Sequence, residues 1–254
     1  MKVMIATPTV HGTVAAAYAR TLVALTQVLG GFGAGYTLMT VDNADVVTAR
    51  NLLAHAFMQD DSLSHLLFVD SDMAVQPVVM RRLFALRAPV VGVAYPQRRI
   101  DLAAFAQAIR EGAGVEQAKA RASVFTLRLS PGARQIRDDV MEVEGFGFGF
   151  VVIEKALMRR LAEAGLAQAV SRRRSGPSEP AGAIRDYFSE ITLANGERLA
   201  EDHAFCERVL RLGDTRLLAY VGPGVGHVGQ FTHDASFVDR VRATSSGAGP
   251  SPAK

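Results

Sequence analysis

Asp70 and Asp72 stand one residue apart, with Ser71 between them, in the stretch HLLFVDSDMAV over residues 65–75. Four apolar residues, Leu66 to Val69, run straight into the acidic pair, so a buried strand is driven toward two carboxylates. Two negative charges that close repel, and each is costly to desolvate unless a cation sits between or beside them. A D-x-D triplet by itself is a common turn or helix cap. Its place at the carboxyl end of an apolar strand argues for a metal or ligand role, because open α/β sheets bind ligands there. A hard divalent cation, Mn²⁺ or Mg²⁺, suits oxygen ligands and keeps positions open for substrate phosphates. The two carboxylates then tolerate each other because a metal diphosphate joins them.

A second acidic pair, Glu201 and Asp202, opens the helical segment EDHAFCERVLRLG (201–213). The helix dipole favours negative charge at that end, which is reason enough for the pair, and it also keeps a carboxylate ionised and ready to take a proton. Arg98 and Arg99, with Arg172, Arg173 and Arg174 of the SRRR run, are cations that can meet an anionic ligand, although a charge run is also plain solvated surface. Cys206 reads as a small core filler within its helix.

The elements that position these residues alternate through the first hundred positions. KVMIA (2–6), YTLMTV (36–41), HLLFVD (65–70) and APVVGVAY (88–95) read as strands. Between them, 13–29, 44–59 and 76–86 carry apolar residues at helical spacing, the first ending at Gly30-Gly31 and the third opening with Pro77. That alternation implies a parallel sheet covered on both faces. Beyond residue 100 the pattern turns β-rich: a helical stretch (101–121), then strands 123–129 and 139–153, a helix at 154–164, and a helix–strand pair at 201–221. SRRRSGPSEPAG (171–182) reads as a mobile loop and a candidate lid. The expected organisation is one continuous domain over 1–242, with halves 1–100 and 101–242. A disordered tail, 243–254, follows.

Bulk properties narrow the field. A length of 254 residues, 49% of them hydrophobic, suffices for one large α/β domain. A net charge of +3 suits anionic small molecules and is too weak to argue for nucleic acid. The single cysteine excludes an internal disulfide. No run reads as a signal peptide or transmembrane helix, so a cytoplasmic location is the expectation.

Seven segments in order, IATPTVHGTV (5–14), TARNLLAHAF (48–57), HLLFVDSDMAV (65–75), VVGVAYPQRR (90–99), GFGFGFVVI (145–153), EDHAFCERV (201–209) and GHVG (226–229), resemble bacterial glycosyltransferases of the GT-A fold, close to the family 2 group. The resemblance spans nearly the whole chain and rests on order and spacing, since no single piece is specific. It implies an α/β fold of GT-A type: a Rossmann-like nucleotide-binding half with a mixed central sheet and a β-rich acceptor half. It also implies a nucleotide-diphosphate-sugar donor, with Mn²⁺ or Mg²⁺ as cofactor. The acceptor would be a saccharide, lipid-linked glycan, protein or modified nucleic acid, and no motif chooses among them. Asp72 would bind the metal directly, Asp70 the ribose or a metal-bound water, and His227 would be the third ligand of the set Asp70, Asp72 and His227. Thr7 and Pro8 would meet the base and ribose, with Asp42, Arg50, Asn51 and Ser71 completing that pocket. Asp202 would be the catalytic base of an inverting enzyme, and Glu201 would orient the acceptor or the base.

Duller alternatives stand beside these. His227 can be a loop histidine bonded to backbone, and Arg50 a solvated helix residue. The run GFGFGF reads as a strand with Phe146, Phe148 and Phe150 in the core and the glycines forming a flat floor for a sugar or acceptor, or as a bulged strand packed on a helix. Phosphatases of the haloacid dehalogenase type also carry D-x-D at a strand end, but on their first strand and with Thr or Val where this chain has Ala74. A nucleotidyltransferase or a non-catalytic sugar-nucleotide-binding protein on a similar sheet remains open.

Overall fold

The structure, a computed structural model, describes residues 1–129, 137–171 and 183–229. Of the expected 171–182 loop, Ser171 is described and ends a strand, whereas 172–182, with the Arg172–Arg174 cluster, and the 243–254 tail lie outside these residues.

The first half follows the expected alternation: β1 (Lys2–Thr9), α1 (Ala16–Gly31), β2 (Gly35–Asp42), α2 (Val46–Gln59), β3 (His65–Val69), β4 (Met73–Val75), α3 (Pro77–Leu86) and β5 (Val90–Val93). Local chemistry sets the helix ends. Asp45 caps α2 by accepting from the backbone N–H of Val47 and Thr48 at 3.2 Å each. Pro77 occupies the first turn of α3, where its missing N–H costs nothing.

The second half is more broken than its sequence suggests. It runs β6 (Pro96–Ile100), α4 (Leu102–Arg110), α5 (Val115–Arg121), β7 (Ser123–Phe125), β8 (Leu127–Arg128), β9 (Val140–Val143), β10 (Gly145–Phe146) and β11 (Phe150–Glu154). Then come α6 (Lys155–Glu163), β12 (Gln168–Ser171), β13 (Ala183–Asp186), β14 (Ile191–Thr192), β15 (Arg198–Leu199), α7 (Glu201–Leu210), β16 (Leu217–Tyr220) and β17 (Val225–His227). The helical stretch expected over 101–121 is two helices, split where Gly112 takes a φ of +85°, a conformation that glycine adopts without strain.

The central sheet has seven strands in the order β2-β1-β3-β11-β5-β16-β9. The parallel sheet expected from the first half is a correction here, because β11 inserts antiparallel between β3 and β5. β16 then pairs parallel to β5, and β9 antiparallel to β16. The fold is therefore mixed α/β, with both halves of the chain sharing one sheet.

Two apolar layers flank that sheet. One, on the α2, α6 and α7 side, centres on Phe148, whose ring lies 5.1–6.1 Å from those of Phe68, Phe146, Phe188 and Phe205. The other packs α1 and α3 against Val3, Ile5 and Phe150. The three phenylalanines of GFGFGF are all buried but not on one face: Phe146 and Phe148 join the first layer and Phe150 the second.

The run is thus strand–turn–strand and not a continuous strand. The glycines form no open floor. A Cβ on Gly147 would overlap the Tyr95 hydroxyl and lie 2.7 Å from Thr126 Cγ2, and one on Gly149 would lie 2.9 Å from the Tyr95 ring. Tyr95 fills the space that the missing side chains leave, and the Gly149 N–H donates to its hydroxyl at 3.2 Å. Gly147→Ala should accordingly destabilise the fold by about 1–3 kcal/mol, the usual cost of overpacking. A denaturant midpoint unchanged from the parent would contradict this packing.

Candidate functional site

β3 delivers Asp70, Ser71 and Asp72 at its carboxyl end, and the Asp70 N–H donates to Gly149 O at 2.9 Å across the β3–β11 junction. The chain then turns directly into β4, which pairs antiparallel with β17 so that His227 stands opposite Met73. The Val228 N–H donates to Asp72 O at 2.9 Å and extends that ladder. This pairing brings together two motifs 155 residues apart: His227 Nε2 lies 3.2 Å from Asp72 Oδ2.

The other ring nitrogen, Nδ1, lies 3.1 Å from Pro96 O. A carbonyl only accepts, so Nδ1 donates to it; an ionised carboxylate likewise only accepts, so Nε2 meets Asp72 through a proton or through another cation in its place. Ligating histidines are held this way, with the non-ligating N–H on a carbonyl. The Tyr95 ring meets the imidazole edge-on, 5.1 Å between centroids, and fixes its plane. Arg98 Nη1 lies 2.9 Å from the same Asp72 Oδ2, from a side chain 57% exposed. Burial works to raise the Asp72 pKa but is outweighed by the His227 hydrogen bond and charge and by Arg98, so the carboxyl lies below its ordinary value.

Asp70 faces the other way. Arg50 Nη2 donates to both of its carboxylate oxygens, at 3.1 and 3.2 Å. Arg50 is buried within α2, its guanidinium carbon 5.2 Å from the Phe68 ring centre and 5.5 Å from that of Phe148. Its Nε lies 3.8 Å from Glu201 Oε1 and has no hydrogen-bond partner among the described residues. One guanidinium therefore sits beneath both acidic pairs, in the field of Asp70, Glu201, Tyr95 and Asp202. Burial lifts the Asp70 pKa, with Arg50 opposing. Burial and then Asp202 lift Glu201, again against Arg50. Burial, reinforced by Asp70, raises the Tyr95 phenol, which stays protonated. Asp202 Oδ1 accepts from the His203 N–H at 2.7 Å, a bond local to the start of α7.

The other expected pocket residues divide. Pro8 is half-buried at the end of β1 and Ser71 half-buried beside the acids. Asp42, at the exposed end of β2, accepts from the Gly12 N–H at 3.1 Å and ties back the left-handed turn at His11-Gly12. Thr7 is buried, its hydroxyl 2.7 Å from that of Tyr18, so it anchors α1 and does not face a ligand. Asn51 is also committed: its amide donates to Asp186 at 2.8 Å and accepts from the N–H of Tyr187 and Phe188 at 2.9 and 3.3 Å. Arg50 is an internal counter-ion and not a solvated helix residue.

Among the described residues, no group of three or more His, Cys, Asp or Glu side chains is arranged to hold a metal ion. The expected set of three reduces to Asp72 and His227, because Arg50 has taken Asp70. The pair still fits a hard divalent cation. Two ligands about 2.1 Å from a shared octahedral ion and at right angles to one another stand about 3 Å apart, close to the separation seen. Mg²⁺-type ions are commonly held by one or two protein groups plus substrate phosphates, not by a full protein cage.

Sequence reasoning missed Tyr95, which packs against Gly147, Gly149 and His227. It ends the apolar run VVGVAY just beyond β5, and the strand-end rule that singled out Asp70 applies equally to it.

No family model and no curated protein matches this chain. Among solved structures it is similar to A197 from STIV, with 16% identity, a TM-score of 0.45, and coverage of 91% of this chain and 87% of that one. It is similar also to a glycosyltransferase involved in the glycosylation of the major capsid of PBCV-1, at 10% identity and TM-score 0.31, with 63% of each chain covered. A nucleoside-diphosphate-sugar pyrophosphorylase from Vibrio cholerae RC9 matches at 9% identity and TM-score 0.37, covering 89% of this chain and 94% of that one. At these scores the likenesses carry no functional argument. What the structure itself defines is a mixed α/β protein with an acidic site at the carboxyl ends of its sheet. Among the described residues, no helix is long and apolar enough to cross a membrane.

Arg50→Met should leave Asp70 with its buried charge uncompensated and cost about 3 kcal/mol, the lower end for a broken buried pair because Asp70 keeps 24% exposure. Without Arg50 the Asp70 pKa rises further above its unfolded value. The native state then holds a proton that the unfolded chain has released, so stability falls as pH rises through that interval. The deficit should be largest at neutral pH and shrink in acid. Denaturant melts at several pH values check this, and a deficit independent of pH would contradict it.

Proposed function

We propose that this protein is a metal-dependent glycosyltransferase of GT-A type, moving a sugar from a nucleotide-diphosphate donor to an acceptor hydroxyl. The observation that carries the reading is the convergence of Asp72 Oδ2 and His227 Nε2 at 3.2 Å, with Nδ1 committed to Pro96. A ring nitrogen and a carboxylate oxygen at that distance are joined through a proton or through a metal ion that takes its place, and the spacing suits two ligands of one octahedral ion. Asp72 and His227 would hold Mn²⁺ or Mg²⁺, which when bound neutralises charge building on a diphosphate leaving group.

The chain's own residues supply the rest. Arg98 is exposed enough to swing from Asp72 to a phosphate oxygen and add a charge-assisted bond. Base and ribose would lie over Pro8 and Ser71 beside the turn that Asp42 ties back. Asp202, whose bonding stays within its own helix turn, would take the proton from the acceptor hydroxyl. The acceptor oxygen then forms its bond to the anomeric carbon as the bond from that carbon to the diphosphate breaks. The electron pair leaves with the nucleoside diphosphate, and the centre inverts. Glu201, shared with Arg50, would fix the start of α7 so that Asp202 is correctly aimed.

The test is a thermal-shift and product screen of nucleotide sugars with and without Mn²⁺. A matching donor should raise the melting temperature only with metal present, and turnover should release a nucleoside diphosphate. Release of pyrophosphate would indicate a nucleotidyltransferase instead, and stabilisation without turnover a binding protein. Asp72→Asn should abolish the metal-dependent shift while leaving the melt in buffer intact; a folded variant with full activity would refute the assignment. Asp202→Asn should keep the metal-dependent shift and lose turnover by about 10²–10⁴-fold, the range for a general base.

A further inference from the structure

Among the described residues the central sheet ends in an open edge. β2 is its outermost strand, eight residues long, and among the described residues nothing pairs with its outer side. It pairs with β1 in unbroken register from Lys2↔Gly35 to Thr9↔Asp42, with no bulge to twist the edge away. Its sequence, GYTLMTVD, holds no Lys, Arg or Pro, and no charge before Asp42. Soluble proteins normally blunt such an edge by charge, proline, a bulge or a short strand. None of those devices is present on β2.

The side chains are as open as the backbone. The register places Tyr36 and Leu38 on the face of Val3 and Ile5, and Met39 on the face of Met4 and Ala6. Those β1 residues are 0–3% exposed, whereas Tyr36, Leu38 and Met39 are 47%, 50% and 36% exposed. Apolar surface therefore lies open on both faces at one edge, where a further strand would cover it.

We propose that β2 is a homodimer interface, on which a second copy of this chain adds its own β2 antiparallel to form one continuous sheet across the two-fold axis. Self-pairing is favoured by charge. From Gly35 to Val41 the strand is neutral, so two copies align without opposing like charges, which would be destabilising across a strand pair. Geometry favours it as well. Directly opposed residues in an antiparallel pair share a face, so a two-fold normal to the sheet pairs positions of equal parity and sets Leu38 or Met39 on the axis. Leu38, the most exposed apolar side chain of the strand, then lies on the axis or next to it. This edge is distinct from the Asp72–His227 site, and its test needs no substrate.

Light scattering after size-exclusion chromatography of the full chain should give twice the 27.2 kDa of one copy. Leu38→Lys, at a half-exposed position, should give a monomer that keeps the parent's circular dichroism but melts lower and without the parent's dependence on protein concentration. Cys206 is fully buried and is the chain's only cysteine, so Leu38→Cys adds a single accessible thiol. A short bismaleimide should cross-link Leu38→Cys to a covalent dimer but leave Leu102→Cys, 60% exposed on α4, uncross-linked. A monomeric parent, an open-ended polymer, a dimer that survives Leu38→Lys, or cross-linking only at Leu102→Cys would each overturn the proposal.

Discussion

The acidic site depends on one buried guanidinium. Asp70 and Glu201 lie 131 positions apart in the chain, at the end of a strand and the start of a helix, and Arg50 faces both. Carboxylates drawn this far out of water repel one another and favour protonation, which is the direction in which burial pushes both groups. A lysine would place a point charge near one of them. The planar guanidinium instead donates twice to Asp70, turns Nε toward Glu201, and stacks its weakly hydrated faces on Phe68 and Phe148. The phenylalanine layer is thus more than apolar filling, because it is the surface on which the counter-ion rests. Asn51, the next residue of α2, points elsewhere and clamps the backbone of Tyr187 and Phe188. Two successive side chains of one helix turn stitch the acidic site and the segment that leaves β13 to the same core.

A second constraint is the pairing of β4 with β17. Each strand has three residues, too few to hold together unaided in water, and the pair depends on what surrounds it. Met73 and Val75 are buried under α1 and α3, while Asp72 and His227 lie at the outer end of the ladder. Anything that bridges those two side chains also tightens β17 onto β4. Tyr95 contributes from behind, wedged against Gly147 and Gly149 and against the imidazole. The glycine run therefore matters to the site through the tyrosine it admits, not through a surface it exposes.

What the sequence made legible was local. The apolar run into Asp70 and the alternation of the first half follow from patterns a few residues long, and the structure reproduces them. His227 was legible by type, although its meeting with Asp72 needed the β4–β17 pairing. Arg50 was obscured because an arginine on an amphipathic helix is solvated by default, and only the fold shows which turn of α2 passes beneath the acids. The insertion of β11 between β3 and β5 is a long-range event that no short pattern encodes. GFGFGF was misjudged for a related reason. Alternation alone suggests one strand, whereas the chain turns at 147–149 around Tyr95, which lies just beyond β5.

Charge in the site supplies the last step. Among the described residues, Asp70, Asp72, Glu201 and Asp202 bring four carboxylates to one end of the sheet, where Arg50 pairs with Asp70 and Glu201 and the exposed Arg98 with Asp72. An anionic diphosphate arriving alone would meet net repulsion from this group, and a neutral sugar would satisfy none of it. On the proposed reading, a divalent cation between Asp72 and His227 reverses the sign of that corner, so metal and diphosphate favour each other's binding. Arg98 occupies the same carboxylate oxygen while the corner is otherwise negative. Were a metal to take over Asp72, the guanidinium would be free for the phosphate, and the excess of acid would become the means of selecting a ligand that carries metal and phosphate together.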